Sequence, residues 1–458
     1  AYAEVYSEKS YYLSTTADKL FMPPSGMLEF NGFAAQPMFY TGLFEKLELE
    51  PKIYRVGTFK SAVEPYFRKD MSEESKMQVS AFLGDIWEVF ANDVATARKI
   101  DRAEVDSIAS QFVFGSGEKA LARKLVDELK YEDAVRELLK EKSGIEKKEK
   151  LHLISYRKYL KAMPKEDNDA TNKIAVIFAE GEIRSGKNQD GVLGSETIVE
   201  ALRKARENEN VKAIVFRVNS PGGSALASDV MTREVELTSK TKPIIASMGD
   251  VAASGGYYIS AKCDRIFADK NTITGSIGIF GMLLNTQKMF NNKLGLTFDQ
   301  VETHPNADFL NPNVPSSPFQ ENLMQHYIEE GYGSFLKVVK DGRNFADSAA
   351  VDKVAQGRVW SGKAAKDINL VDEYGNLYAA IKYAAQKANL DEKDYRIKTY
   401  PEAKNKIEEL LNTTKESAVR YLQQDQPLYE EIEQLRKLKQ AVPSNGVYMM
   451  MPARYVIE

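Results

Sequence analysis

The sequence predicts an α/β protein, a parallel sheet flanked by helices, and it predicts that this unit occurs twice. Two observations carry the prediction. From Lys173 onward short apolar runs alternate with amphipathic stretches, and segments near residues 11 and 120 recur about 245 positions later. At 458 residues the chain is also too long for one ordinary core, so at least two domains are expected.

The alternation is clearest in the second copy. Residues 173–178 (KIAVIF) read as a buried strand, residues 191–206 contain a helix with Ile198, Leu202 and Ala205 on one face, and residues 211–218 (VKAIVFRV) are the next strand. Residues 219–224 (NSPGGS) make a turn, and residues 225–239 return as helix. A short strand over 243–248 then leads through the small residues Gly249, Ala252, Ala253, Ser254, Gly255 and Gly256 into an apolar helix opening at Tyr257. Residues 320–340 and 362–388 read as mainly helical, residues 401–439 as a polar, mainly helical tail, and residues 447–457 as a closing strand.

The repeat is set by two matches. Placing Tyr11-Tyr12-Leu13-Ser14 on Tyr257-Tyr258-Ile259-Ser260 gives an offset of 246 (257 − 11) and brings Val5 onto Val251, Phe21 onto Phe267 and Gly32 onto Gly278 without gaps. Gly117, Lys119, Ala120 and Leu125-Val126-Asp127-Glu128 match Gly362, Lys363, Ala364 and Leu370-Val371-Asp372-Glu373 at an offset of 245 (362 − 117). Residues 1–168 are therefore expected to form an N-terminal repeat and residues 169–458 a C-terminal repeat with a helical extension. The second copy begins about 74 residues before its first echoed position (247 − 173), so roughly 75 residues of the first are expected to lie ahead of Ala1. Any membrane anchor there would be invisible in this sequence.

Composition narrows the function classes. With 43% hydrophobic and 28% charged residues the chain is globular, and a net charge of −4 offers no footprint for nucleic acid. The Lys- and Glu-rich residues 139–172 read as a solvated helix end and linker. One cysteine, Cys263, excludes an intrachain disulfide, no apolar run reaches the roughly 18 residues of a membrane helix, and no signal-peptide pattern opens the chain.

Ser254 is the candidate nucleophile. It stands between strand and helix among residues too small to screen it, where helix N–H groups favour developing negative charge. Gly222 or Gly223, at the end of another strand, could supply one N–H of an oxyanion hole and Gly255 the other. No Gly-Lys-Ser/Thr follows the paired glycines, which argues against a phosphate loop. The histidines, His152, His304 and His326, lie in a linker, a loop and a polar helix, so a Ser-His-Asp triad has little support. A lysine made neutral by burial is the other base, and Lys60 stands out among small and aromatic residues in YRVGTFKSAVEPYF. The two copies have lost complementary halves. Glu8 stands where the second copy has Ser254, and Ala307 stands where the first has Lys60 (307 − 60 = 247).

Three stretches together resemble the signal peptide peptidase A family in its long, tandem-repeat bacterial form. They are Gly249 to Tyr258 around Ser254, Gly57 to Pro65 around Lys60, and Asn219-Ser220-Pro221-Gly222-Gly223; residues 357–362 (GRVWSG) and 370–372 (LVD) extend the likeness over nearly the whole chain. The resemblance implies a ClpP/crotonase-like fold and a membrane-anchored Ser/Lys endopeptidase that degrades leftover signal peptides outside the cytoplasm. It implies a bowl-shaped homotetramer with no cofactor or metal. It also implies that Ser276, in Thr274-Gly275-Ser276-Ile277-Gly278, hydrogen-bonds and orients the lysine; its counterpart in the first copy is Phe30. The expected substrates are extended peptides with small or apolar side chains. The rival classes are a crotonase-like acyl-CoA hydratase or isomerase, which needs paired N–H donors but no dyad, and a non-catalytic scaffold assembling at a membrane.

Overall fold

The computed structural model describes residues 1–111, 117–163, 169–401 and 446–451. The expected polar tail and the end of the closing strand lie largely outside these residues. Two compact units form: Ala1–Ala35 with Leu83–Asp167, and Gln36–Phe82 with Asn168–Tyr455.

In the first unit the Glu8–Ser14 helix starts at Ser7, whose side chain accepts from the backbone N–H of Ser10. Its Tyr11 is fully buried, donates to the Leu125 carbonyl at 2.8 Å and meets Phe30 edge-on at 5.7 Å between ring centres.

The repeat is visible in strand register. Val5 and Tyr6 pair in parallel with Met27 and Leu28, as Val251 and Ala252 pair with Ile273 and Thr274. Phe21 and Met22 pair with Glu128 and Leu129, as Phe267 and Ala268 pair with Glu373 and Tyr374. Both sequence offsets thus recur as matched pairings, and the chain adopts the expected α/β class with a repeated unit.

The second unit is built on an eight-stranded sheet. Its main order is Val359–Ser361, Ile273–Gly275, Ile244–Ala253, Val211–Ser220, Asn172–Glu180 and Tyr395–Tyr400, parallel except at the Val359–Ser361 edge. The Ser195–Glu207 helix buries Ile198, Leu202 and Ala205, the face its periodicity marked out. A six-stranded sheet runs Glu50–Arg55, Phe280–Asn285, Gly446–Met450, Gly222–Ser224, Glu182–Arg184, Val192–Gly194.

Several elements differ from the sequence-based expectation. The strand expected over 243–248 continues to Ala253, with an irregularity in its pairing between Met248 and Ala252, so Ser254 directly follows a strand end. Residues 222–224 are a short strand of the second sheet, not merely a turn, because Pro221 ends the preceding ladder and the glycines join another. Residues 362–388 are two helices separated by the short strand Glu373–Tyr374.

Residues 36–82 precede the sequence boundary at 168/169 yet pack within the second unit. The Glu50–Arg55 strand has a six-residue antiparallel ladder with Phe280–Asn285, and Phe44, Val63 and Tyr66 share one buried cluster with Phe280 and Met282. Burial of that apolar face outweighs chain order. Among the described residues no helix is long and apolar enough to cross a membrane.

Candidate active site

Ser254 follows the end of the Ile244–Ala253 strand and caps the Gly255–Ser260 helix. Its backbone, at φ 53° and ψ −115°, is in a region L-residues rarely occupy, a strain of about 1–3 kcal/mol that the surroundings must offset. They hold it at both ends: Ser254 N–H donates to the Gly275 carbonyl at 2.8 Å, and the Ser254 carbonyl accepts from Tyr258 N–H at 2.8 Å. The turn aims Oγ away from its own helix, since the side chain makes no capping bond.

Lys60 reaches this hydroxyl from the Gln36–Phe82 segment. Its Nζ lies 2.9 Å from Ser254 Oγ, 3.1 Å from Ser276 Oγ and 3.1 Å from the Ser276 carbonyl oxygen. Lys60, Ser254 and Ser276 are all fully buried. Burial holds the Lys60 amine well below the ordinary lysine value, and the loss of hydration is the one cause acting on it. A neutral amine has two N–H bonds and one lone pair. The Ser276 carbonyl can only accept, so it takes one N–H; Ser276 Oγ can take the other, which leaves the lone pair for the Ser254 hydroxyl. Ser254 Oγ also lies 3.3 Å from the Gly278 carbonyl.

Close backbone approach makes this reach possible. A methyl group on Gly357, at φ +79°, would stand 2.6 Å from Lys60 Cα, so only glycine lets the two loops meet. Phe59 N–H donates to the Gln356 carbonyl at 2.9 Å beside this contact.

Sequence reasoning did not single out Gln78. It is completely buried on the Glu73–Arg98 helix, and its amide donates to the Phe59 carbonyl at 3.1 Å and to Ser61 Oγ at 2.7 Å, the two neighbours of Lys60. Its oxygen accepts from Val359 N–H at 3.0 Å, next to Arg358, whose carbonyl takes the Ser276 N–H at 2.7 Å. One side chain thus ties the lysine loop to the strand that holds Ser276. A glutamine on an otherwise amphipathic helix carries no sequence signal of this role.

The three glycines named from the sequence also converge. A methyl on Gly222 (φ +99°) would come within 2.8 Å of Gly255 N and 2.0 Å of the Met449 carbonyl oxygen. Gly222 N–H is directed to Ser220 Oγ at 3.2 Å, whereas Gly223 lies in the ladder facing the Gly446–Met450 strand. The histidines stand apart: all three are exposed, and none bonds to Ser254 or Lys60. Among the described residues no group of three or more His, Cys, Asp or Glu is placed to hold a metal ion.

The first copy has a different arrangement at the matching positions. Glu8, where the second copy has Ser254, is buried, and its Oε1 accepts from Asn31 N–H and Gly32 N–H, both at 2.7 Å. Phe30, where the second copy has Ser276, fills the core.

A family model described as Peptidase family S49 matches residues 1–146 and 236–391, one stretch in each repeat. The chain is 36% identical over 452 residues to Protease 4 of Haemophilus influenzae, covering 95% of this chain and 73% of that protein. It is 39% identical over 399 residues to Protease 4 of Salmonella typhi, covering 85% and 64%. It is 37% identical over 399 residues to the chloroplastic Serine protease SPPA of Arabidopsis thaliana, covering 85% and 58%. The chain thus spans between 58% and 73% of these relatives' lengths. Kinship defines the class as serine protease. The chain belongs to peptidase family S49, the kinship that the motifs around Ser254, Lys60 and Gly222 implied.

Proposed function

We propose that this protein is an endopeptidase with a Ser254/Lys60 dyad, acting on cleaved signal peptides and other extended apolar peptides at a bacterial membrane. The observation that carries the reading is the buried amine of Lys60, 2.9 Å from Ser254 Oγ and, among the described residues, with no carboxylate bonded to it. Neutral Lys60 removes the Ser254 hydroxyl proton as Oγ bonds to the scissile carbonyl carbon. The N–H groups of Gly223, or Gly222, and Gly255 stabilise the oxyanion. When it collapses the C–N bond breaks, and protonated Lys60 gives its proton to the leaving amine. Water then attacks the ester, Lys60 takes its proton, and Ser254 leaves with a proton restored. Ser276 keeps the amine oriented throughout.

Substrate, membrane side and assembly rest on the resemblance. On that basis the protein is a homotetramer, anchored through a segment N-terminal to this chain, with its site on the extracytoplasmic side. The division into repeats at 168/169 is proposed as the unit of duplication, whatever the packing of residues 36–82. A hydratase or a scaffold has no use for a neutral lysine held against a serine.

Hydrolysis of an internally quenched apolar peptide by the protein and by Ser254→Ala and Lys60→Ala variants tests the dyad. Both variants are expected to lose activity. Full hydrolysis by either refutes it, hydration of an enoyl thioester by an otherwise inactive wild type favours the hydratase, and assembly without either activity favours the scaffold.

A further inference from the structure

The loop that joins the Ser348–Asp352 helix to the Val359–Ser361 strand grips the lysine segment on one side and the Ser276 segment on the other. Towards the lysine, the Gln356 carbonyl accepts from Phe59 N–H at 2.9 Å, and Gln356 Oε1 accepts from the Thr58 hydroxyl at 3.1 Å. Towards Ser276, Gly357 N–H donates to the Ile277 carbonyl at 2.8 Å, and the Arg358 carbonyl accepts from Ser276 N–H at 2.7 Å. The position of Gln356 therefore bears on both neighbours of the Lys60 amine.

Gln356 makes this grip from a left-handed backbone, φ +52°, which costs a residue other than glycine about 1–2 kcal/mol. Two side chains hold it there. Tyr332, buried on the Pro318–Arg343 helix, accepts from Gln356 N–H at 3.0 Å and donates to Asp352 Oδ1 at 2.6 Å. Asp352 Oδ2 accepts from the Gln356 side-chain amide at 2.9 Å. The three side chains close a ring in which one phenol oxygen both donates and accepts. Burial and the bond to Asp352 push the Tyr332 pKa up, so the hydroxyl keeps the proton it donates.

We propose that Tyr332 and Asp352 are a positioning pair for the general base: acting through Gln356, they set where the Thr58–Lys60 loop stands and so where the Lys60 amine meets Ser254. The inference rests on the Ser254/Lys60 reading, and neither residue touches the reacting atoms. Phe59, the residue before the lysine, has both polar backbone groups held by separate clamps, its carbonyl by Gln78 and its N–H by Gln356. The first clamp depends on one buried amide, the second on the Tyr332 hydroxyl. Without that oxygen Gln356 N–H loses its partner and the left-handed backbone loses its restraint. Phe59 N–H and the Thr58 hydroxyl then lose a fixed acceptor, and a displacement of about 1 Å at the amine is enough to lower the rate by an order of magnitude or more.

The test uses the full chain with Tyr332→Phe, which deletes one oxygen and keeps the buried ring. On an internally quenched apolar peptide kcat is expected to fall about tenfold with KM within about twofold of wild type. Adding Gln356→Gly removes further side-chain bonds but takes a positive φ at no steric cost, and it is expected to recover kcat at least about threefold. A merely structural defect would worsen. Hydrogen exchange over residues 56–62, read by mass spectrometry, follows the loop whether or not hydrolysis uses Lys60. It should quicken at least about fivefold in Tyr332→Phe, with the Ile244–Ala253 strand unchanged. Should Tyr332→Phe fail to fold, as read by circular dichroism, Asp352→Ala at the half-buried side of the ring replaces it, with the same expectations. Wild-type kcat in a folded variant overturns the inference, and so does a parallel change of kcat and KM. Lys60→Ala is assayed alongside. Full hydrolysis by that variant, with faster loop exchange in Tyr332→Phe, sinks the dyad and leaves the hold of Tyr332 on the loop standing.

Discussion

Lys60 Nζ and Ser254 Oγ stand 2.9 Å apart although 194 residues separate them in the chain. The contact exists because the Gln36–Phe82 segment packs with the unit that carries the serine, and because the glycine at 357 leaves room for the lysine backbone.

Loss of either group should be felt in kcat. Ser254→Ala and Lys60→Met are each expected to lower kcat at least about a thousandfold, with the double variant no worse than the singles, since the proposed dyad acts as one unit. Lys60→Arg should not rescue, because a guanidinium stays charged. Steady-state rates on one peptide, with fold checked by circular dichroism, measure this.

The depressed lysine predicts a pH dependence of activity. Only the neutral amine can accept the serine proton, so kcat/KM should rise with pH through the folded-state pKa of Lys60, below the ordinary lysine range. A rate profile still rising only at ordinary lysine pH would contradict a neutral resting amine.

Stability should carry the same signature with a definite sign. Folding lowers this pKa, so between the folded and unfolded values the unfolded chain binds more protons and stability increases with pH. Below the folded-state value the full penalty applies; above the unfolded value it vanishes. Lys60→Met removes the penalty, so its gain in melting temperature over wild type should be largest at low pH and shrink as pH rises.

Gln78 bonds to Phe59, Ser61 and Val359, and under the proposed dyad it would act as a positioning residue for Lys60. Gln78→Leu leaves those buried groups without partners, at about 1–3 kcal/mol each where no water replaces them. It should lower kcat about tenfold with KM changed less than about twofold, as expected when a general base is displaced. A parallel change of kcat and KM, or a fall in the amount of folded protein alone, would point to a purely structural role.

The first copy should be inert. Glu8→Ser recreates the residue of the second copy but leaves Phe30 where Ser276 would be and strips the carboxylate from Asn31 and Gly32 N–H. A lower melting temperature is expected, with kcat/KM within about twofold of wild type. A new activity surviving in the Glu8→Ser/Ser254→Ala double variant would overturn this.

By itself the sequence determined the alternating strands and helices of the second copy, the repeat at offsets 246 and 245, and the pairing of a serine in one copy with a lysine in the other. These are local or self-referential signals: periodicity marks a buried face, and a duplicated stretch displays what each copy has lost. Tertiary structure alone decided that residues 36–82 pack with the second unit, that Gln78 joins the lysine loop to the strand beside Ser276, and that Gly446–Met450 lies between two distant strands. The reason is physical. Strand partners and buried hydrogen bonds are chosen by which apolar faces can be covered and which polar groups must be satisfied, and neither is written in the spacing of residues along one chain.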